Sequence, residues 1–195
     1  MIIMPTDDTK TRIMKSTILL FNEFGPMAPM SKISERAGVA GGTPYKYFKT
    51  KEMLLLETYY YARNSIEKIN RNDPLAQTSA EGIIKVIILD ILRWSALYSD
   101  EHQYVEKYED SVCYNYFSEE FSKLYVGVIR ELHLWERIRN DVREDIPEVV
   151  ISRIISVHCS VFSRYMSNFT MDLDAPETKA LMEASADSIW NSIKK

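Results

Sequence analysis

The stretch Met30–Glu52, MSKISERAGVAGGTPYKYFKTKE, constrains the fold more than any other part of the chain. It reads as a short helix, a tight turn at Gly38-Val39, a second short helix and a basic boundary. Two short helices joined by a turn of about three or four residues, often with Gly, form a helix-turn-helix. The residues before it supply another helix. Ile13, Thr17, Leu20, Phe21 and Phe24 recur at helical spacing and share one face. Gly25-Pro26 ends that helix. Pro29 suits the first position of the next, with Ile33 and Ala37 facing inward. Gly38 stops it, and Ala40 to Phe48 form the third helix. Pro44 then falls in a first turn, where backbone N–H groups lack partners anyway.

Beyond this segment breakers are rare. With 6 Gly and 7 Pro in 195 residues, long stretches have nothing to interrupt a helix, and 46% hydrophobic content supports a real core. Thr50 is a plausible N-cap for a helix running towards Asn70. Asn72-Asp73-Pro74 is a break. From Thr78 or Ser79 to Ser99 the pattern is apolar nearly all round, with Lys85, Asp90 and Arg93 on one narrow wet face. An acidic, aromatic segment covers Asp100 to Tyr116. Phe117, Phe121, Leu124, Val128, Leu132 and Trp135 mark a helix ending near Asn140. Pro147 opens another to Asn168, and the last follows Pro176. The expected class is all-α, about nine helices. A three-helix helix-turn-helix headpiece fills residues 1–50, and a larger helical domain fills residues 51–195.

Neither cysteine, Cys113 or Cys159, has the spacing of a disulfide framework or a metal site, which fits reduced thiols in a cytoplasm. The start MIIMPTDD lacks the basic, long apolar run of a signal peptide. The most apolar window, Gly82 to Trp94, is too short and too charged to span a bilayer. A cytoplasmic protein is expected.

Charge is uneven along the chain. Residues 31–51 carry Lys32, Arg36, Lys46, Lys49 and Lys51 against Glu35 alone, a net +4, while the whole chain is −4. A local positive patch on an acidic chain suits phosphate. Phosphate contacts position a protein on DNA, and base-edge contacts specify sequence. Ser31, Tyr45, Tyr47, Lys49 and Lys51 carry hydroxyls or charge for phosphate. Lys46 can donate to guanine O6 and N7. Gly41 and Gly42 let a helix end approach a groove closely and offer backbone N–H groups, and Thr43 can touch a thymine methyl or a phosphate. Tyr47 and Phe48 also suit a headpiece core, and Phe48 is read as core.

Residues 11 to 55 resemble the TetR (AcrR-like) family of bacterial transcription regulators. The matching residues are Phe21-x-x-x-Gly25, Ile33, Ala37-Gly38-Val39, Gly42-Thr43, Tyr45-x-Tyr47-Phe48 and Lys51-Glu52-x-Leu54. The resemblance implies a homodimer on double-stranded operator DNA. It places helix three in a major groove and gives dimerisation and ligand sensing to the C-terminal domain. A small effector would release the DNA, and repression is the commoner family outcome. Two departures from the family stand out. Ala28-Pro29 stand where it carries Thr or Ser near the start of helix two, leaving Ser31 as a substitute. Ala40 and Pro44 replace a Ser and an aliphatic residue around helix three.

The helix from Pro147 carries Ser152, Ser156, Ser160, Ser163 and Ser167 along one side, and the last helix carries Ala180, Ala184, Ser188 and Ser192. Small residues let helix axes approach closely. Either a dimer interface, centred on Ser156, Ser160, Ser163, Ala184 and Ser188, or an intrachain packing face fits, and the resemblance favours the dimer. Between residues 94 and 121 aromatics are dense. Trp94, Tyr98, His102, Tyr108, Tyr116, Phe117 and Phe121 are candidate effector contacts, with His158, Phe162 and Tyr165 from a neighbouring helix. Acids interspersed among them would favour an organic cation, while helix core with solvated acids explains the same pattern. His158 alone also fits a hydrogen-bonded core or interface histidine.

Other classes find less support. His102, His133 and His158 form no Glu-x-x-His or His-x-x-x-His pattern, so no bundle metal site, cofactor or enzyme is expected. GVAGG follows a helix rather than a strand, which excludes a dinucleotide fingerprint. A helical protein-binding adaptor remains the alternative, and the +4 patch argues against it.

Overall fold

The structure, a computed structural model, describes residues 8–69, 73–111, 134–168 and 172–195, the side chains of residues 149, 152, 167 and 168 excepted. Nine α-helices and no strand run through the described residues. They are α1 (Thr9–Phe24), α2 (Met30–Arg36), α3 (Pro44–Tyr47), α4 (Lys51–Arg63), α5 (Ala80–Leu97), α6 (Ser99–Glu109), α7 (Trp135–Ile138), α8 (Glu148–Asn168) and α9 (Pro176–Ile193). The helix expected from Phe117 falls outside the described residues except near its end, where α7 forms. Packing divides the chain into two compact units, Met1–Ser65 with Asp100–Ser118, and Ile66–Ser99 with Glu119–Lys195. Compactness thus draws a different line from the functional boundary expected at residue 50.

In the first unit Asp8 caps α1, its carboxylate accepting the Thr11 N–H at 2.7 Å. That hydrogen bond holds the Asp8 carboxyl below the usual carboxylate range. Gly25 ends α1 at φ 59°, a left-handed conformation that costs other residues strain. Ile13, Met14 and Leu20 pack with Ala28, Ile33, Ala37, Phe48 and Leu54 in one core. Each such burial stabilises the fold by about 1.5–3 kcal/mol for a large side chain. Phe24, expected inward, is 37% exposed. It is the last residue of α1, and the Lys32 ammonium lies 4.5 Å from its ring centroid.

The acidic, aromatic helix α6 completes this unit. Phe21 meets Tyr104 and Tyr108 with ring centroids 4.8 and 6.1 Å away, and Tyr59 meets Tyr108 at 5.1 Å. The Tyr104 hydroxyl donates to the Leu55 carbonyl at 2.8 Å. The Tyr59 hydroxyl donates to Glu109 at 2.9 Å. The Asn22 amide donates to the Asp100 carbonyl at 2.9 Å, and Lys107 donates to the Asn22 carbonyl.

In the second unit Ser79 caps α5 by accepting the Gly82 N–H at 3.1 Å. Ile83, Ile84, Ile87, Ile88 and Leu92 of α5 form a core with Ile151, Ile155 and Cys159 of α8 and Met182, Ala186, Ile189, Trp190 and Ile193 of α9. Lys85 links α5 to α9, its ammonium 2.5 Å from Asp187 and 2.6 Å from Glu81. The hydrogen bonds to Asp187 and then Glu81 push its pKa well above the usual lysine range. The narrow wet face expected on α5 does not hold. Lys85 and Arg93 are half-buried, but Asp90 is only 3% exposed. Both α8 and α9 pack against α5, so little of its circumference is left to water. At the C-terminal end Val142 and Lys194 pair in an isolated antiparallel bridge.

Candidate nucleic-acid interface

The α2–α3 turn follows from local chemistry. Gly38 takes φ 64° and ends α2, its N–H donating to the Glu35 carbonyl at 3.0 Å. The Val39 N–H donates to the Ser34 carbonyl at 3.0 Å, and the Thr43 N–H to the Ala40 carbonyl at 2.8 Å. Helix α3 starts at Pro44 rather than at Ala40 as expected. Gly41 and Gly42 are poor helix formers, and a proline without an N–H suits the first helical position. Likewise Pro29 is the N-cap of α2 rather than its first helical residue.

Pro44 and Phe48, one helical turn apart, are both buried, and Phe48 joins the headpiece core as read from sequence. The residues between them must then face outward. Tyr45 is 52% exposed, Tyr47 is 45% exposed, and Lys46 is exposed. Ser31, Gly41, Gly42 and Lys49 are exposed as well, and Thr43 is half-buried. The candidate set therefore shares an open surface built on a fixed inner face.

Lys51 behaves differently. It is half-buried, and its ammonium donates to the Pro26 carbonyl at 2.7 Å. This ties the start of α4 to the bend after α1. Thr50 caps α4, its hydroxyl accepting the Met53 N–H at 3.2 Å. Lys10 pairs with Glu57 at 2.6 Å, on a largely solvated surface where such pairs contribute little. One residue absent from the sequence reading is Ser34. It is buried on α2, with its hydroxyl 3.0 Å from the Met30 carbonyl and 3.3 Å from the Gly41 carbonyl. A serine inside a helix bonding to backbone is the signal that marks it.

The candidate effector residues are distributed over both units. Trp94 is buried and Tyr98 half-buried, the latter ending α5 with the Lys68 ammonium 5.9 Å from its ring centroid. Phe162 is half-buried against the second unit's core. His102 and Tyr108 belong to the first unit, and both are buried. Tyr108, expected in a C-terminal-domain pocket, instead packs among Phe21, Tyr59 and Tyr104 of the first unit. Its α1 and α4 partners were not legible as neighbours of α6. Tyr116, Phe117 and Phe121 lie outside the described residues. His158 and Tyr165 are exposed on α8, and the His158 Nδ1 is 2.8 Å from the Ile154 carbonyl.

The serine stripe on α8 also needs correction. Ser156 and Ser160 are half-buried, with the Ser160 hydroxyl donating to the Ser156 carbonyl at 2.9 Å. Ser163 is buried within its own chain, which removes it from any surface that a second copy could reach. The exposed face of α8 carries Val150, Val157, Val161 and Tyr165 at helical spacing, with His158 and Arg164 beside them. Ala184 and Ser188 are exposed on α9.

Among the described residues, no helix is long and apolar enough to cross a membrane, and no group of His, Cys, Asp or Glu side chains could hold a metal ion. Residues 13–58 match the family described as "Bacterial regulatory proteins, tetR family". A comparison with curated proteins gives no match. The fold is similar to that of a TetR-family transcriptional regulator of Haemophilus influenzae RD, with 17% identity, a TM-score of 0.70 and coverage of 96% of this chain and 100% of that one. It is similar to a TetR family transcription regulator of Marinobacter aquaeolei VT8, with 14% identity, a TM-score of 0.68 and 96% of each chain covered. It is also similar to FadR, a fatty acid degradation regulator of Bacillus halodurans, with 18% identity, a TM-score of 0.62 and coverage of 96% and 97%. Over residues 13–58, which build the helix-turn-helix, the chain is similar to the tetR family of bacterial regulatory proteins.

Proposed function

We propose that this regulator binds a palindromic operator as a homodimer and releases it when a small hydrophobic effector binds, acting as a cytoplasmic repressor. Residues 1–50 would be the DNA-binding domain and residues 51–195 the effector-binding and dimerisation domain. The observation that carries the DNA reading is the outward face of α3. Tyr45, Lys46 and Tyr47 stand exposed while Pro44 and Phe48 fix the helix from behind. Lys46 would read a base edge. Ser31, Thr43, Tyr45, Tyr47 and Lys49 would hold phosphates, and Gly41 and Gly42 would let the backbone come close. The exposed face of α8, with Ala184 and Ser188 of α9, supports dimerisation through these helices. Trp94, Tyr98 and Phe162 support an aromatic effector site in the second unit.

A gel-shift titration with the DNA flanking the protein's own gene tests this reading. Binding should fall steeply as salt rises, because lysine–phosphate contacts release counterions. Half-sites should lie about 34–36 Å apart or a multiple of it. Binding indifferent to salt and sequence would overturn the proposal and leave the helical adaptor.

A further inference from the structure

We infer that Ser34 is a positioning residue for the DNA-reading segment, its hydroxyl fixing the Gly41 carbonyl across the α2–α3 turn. The inference rests on the DNA reading of α3 proposed above. Gly41 and Gly42 lead into α3, and glycine restrains its backbone least of all residues. Thr43, the N-cap of α3, makes no side-chain cap bond. The backbone bond from Thr43 to Ala40 closes the turn on itself without tying it to α2. Ser34 supplies such a tie. It is 2% exposed, rooted in the core-facing side of α2, and its hydroxyl reaches the Gly41 carbonyl at 3.3 Å. The same hydroxyl lies 3.0 Å from the Met30 carbonyl. A hydroxyl has one hydrogen, so the two carbonyls share it. The Met30 contact is dispensable to α2, since serine bonding back along a helix adds little to it. The Gly41 contact bridges seven residues and sets where the two glycines lie over the headpiece.

The test compares wild type with Ser34→Ala on duplexes selected by wild type from a random library and on a scrambled duplex. Removing one net hydrogen bond should speed amide exchange at Thr43, whose N–H donates to the Ala40 carbonyl, roughly 2- to 13-fold, with α1 amides unchanged. Affinity for the selected duplex should fall by a similar factor while affinity for the scrambled duplex holds. Ser34→Thr, which keeps the hydroxyl, should restore part of the selectivity if its melting temperature matches wild type. Unchanged exchange at Thr43, or equal losses on both duplexes in Ser34→Ala, would overturn the role of Ser34 alone. A wild type that selects no sequence would overturn the DNA reading itself, and the role of Ser34 with it.

Discussion

Replacing Gly41 or Gly42 by alanine should stabilise the folded chain and weaken its hold on DNA. Neither glycine takes a positive φ, unlike Gly25 and Gly38. A Cβ built on either meets nothing within 4 Å. Alanine therefore fits the native backbone without strain, and the unfolded chain loses freedom. That effect is worth about 0.4–1 kcal/mol, or roughly 1–4 °C in melting temperature for a chain of this size. The fold thus gives no reason for glycine here, which leaves the partner as the reason. If the backbone N–H groups reach phosphate, a methyl group on either residue holds the strand away. Losing one hydrogen bond to a charged group costs about 1.5–3 kcal/mol, roughly 10- to 150-fold in Kd. Thermal melting by circular dichroism and anisotropy titration of a labelled operator measure the two effects on the same preparations. Gly38→Ala is the control. It also has open space, but φ 64° should make it destabilising by about 1–2 kcal/mol. Wild-type affinity in both Gly41→Ala and Gly42→Ala would refute a close approach of this turn to DNA. A lowered melting temperature in either would refute the account of its backbone.

Further tests bear on other parts of the chain. Lys46→Ala should cost about 1–3 kcal/mol and relax preference at one base position, whereas Tyr45→Phe should weaken all sequences alike; identical site preferences for Lys46→Ala and wild type would remove the base-reading role. Val161, 56% exposed on α8, should tolerate arginine in the monomer but not in a packed dimer, so Val161→Arg should sediment as a folded monomer. A Val161→Arg dimer with normal operator affinity would show that the exposed face of α8 is not the interface. The depressed pKa of Asp8 means that its cap is fully present above the ordinary carboxylate range and lost as pH falls through the folded-state value. The protection factor of the Thr11 amide, its exchange rate relative to the intrinsic rate at each pH, should therefore fall on acidification in wild type and stay flat in Asp8→Asn, which keeps a capping oxygen at every pH; matching pH profiles would count against the cap.

How much could be read in advance depended on the range of the interactions involved. The end of α1 at Gly25, the stop at Gly38, the cap at Thr50 and the inward turn of Phe48 follow from contacts within a few residues. Propensity, capping and helical spacing encode such contacts directly. Helix α3 starts at Pro44 rather than at Ala40 for an equally local reason, since Gly41 and Gly42 are poor helix formers and proline suits the first helical position.

The amino-acid sequence by itself determined an all-α chain, a helix-turn-helix near its N-terminal end and the basic surface residues of that motif. Only the tertiary structure decided that α6 packs its tyrosines on Phe21 and Tyr59, and that Asp90 faces inward. It alone decided that Ser163 points into the core while Val157 and Val161 face out, and that Lys51 and Ser34 hold carbonyls at Pro26 and Gly41. Periodicity marks which residues share a helix face, but the face carries no label for what covers it. That is set by which helices meet, and their meeting is a balance of burial over the whole chain that no short window contains.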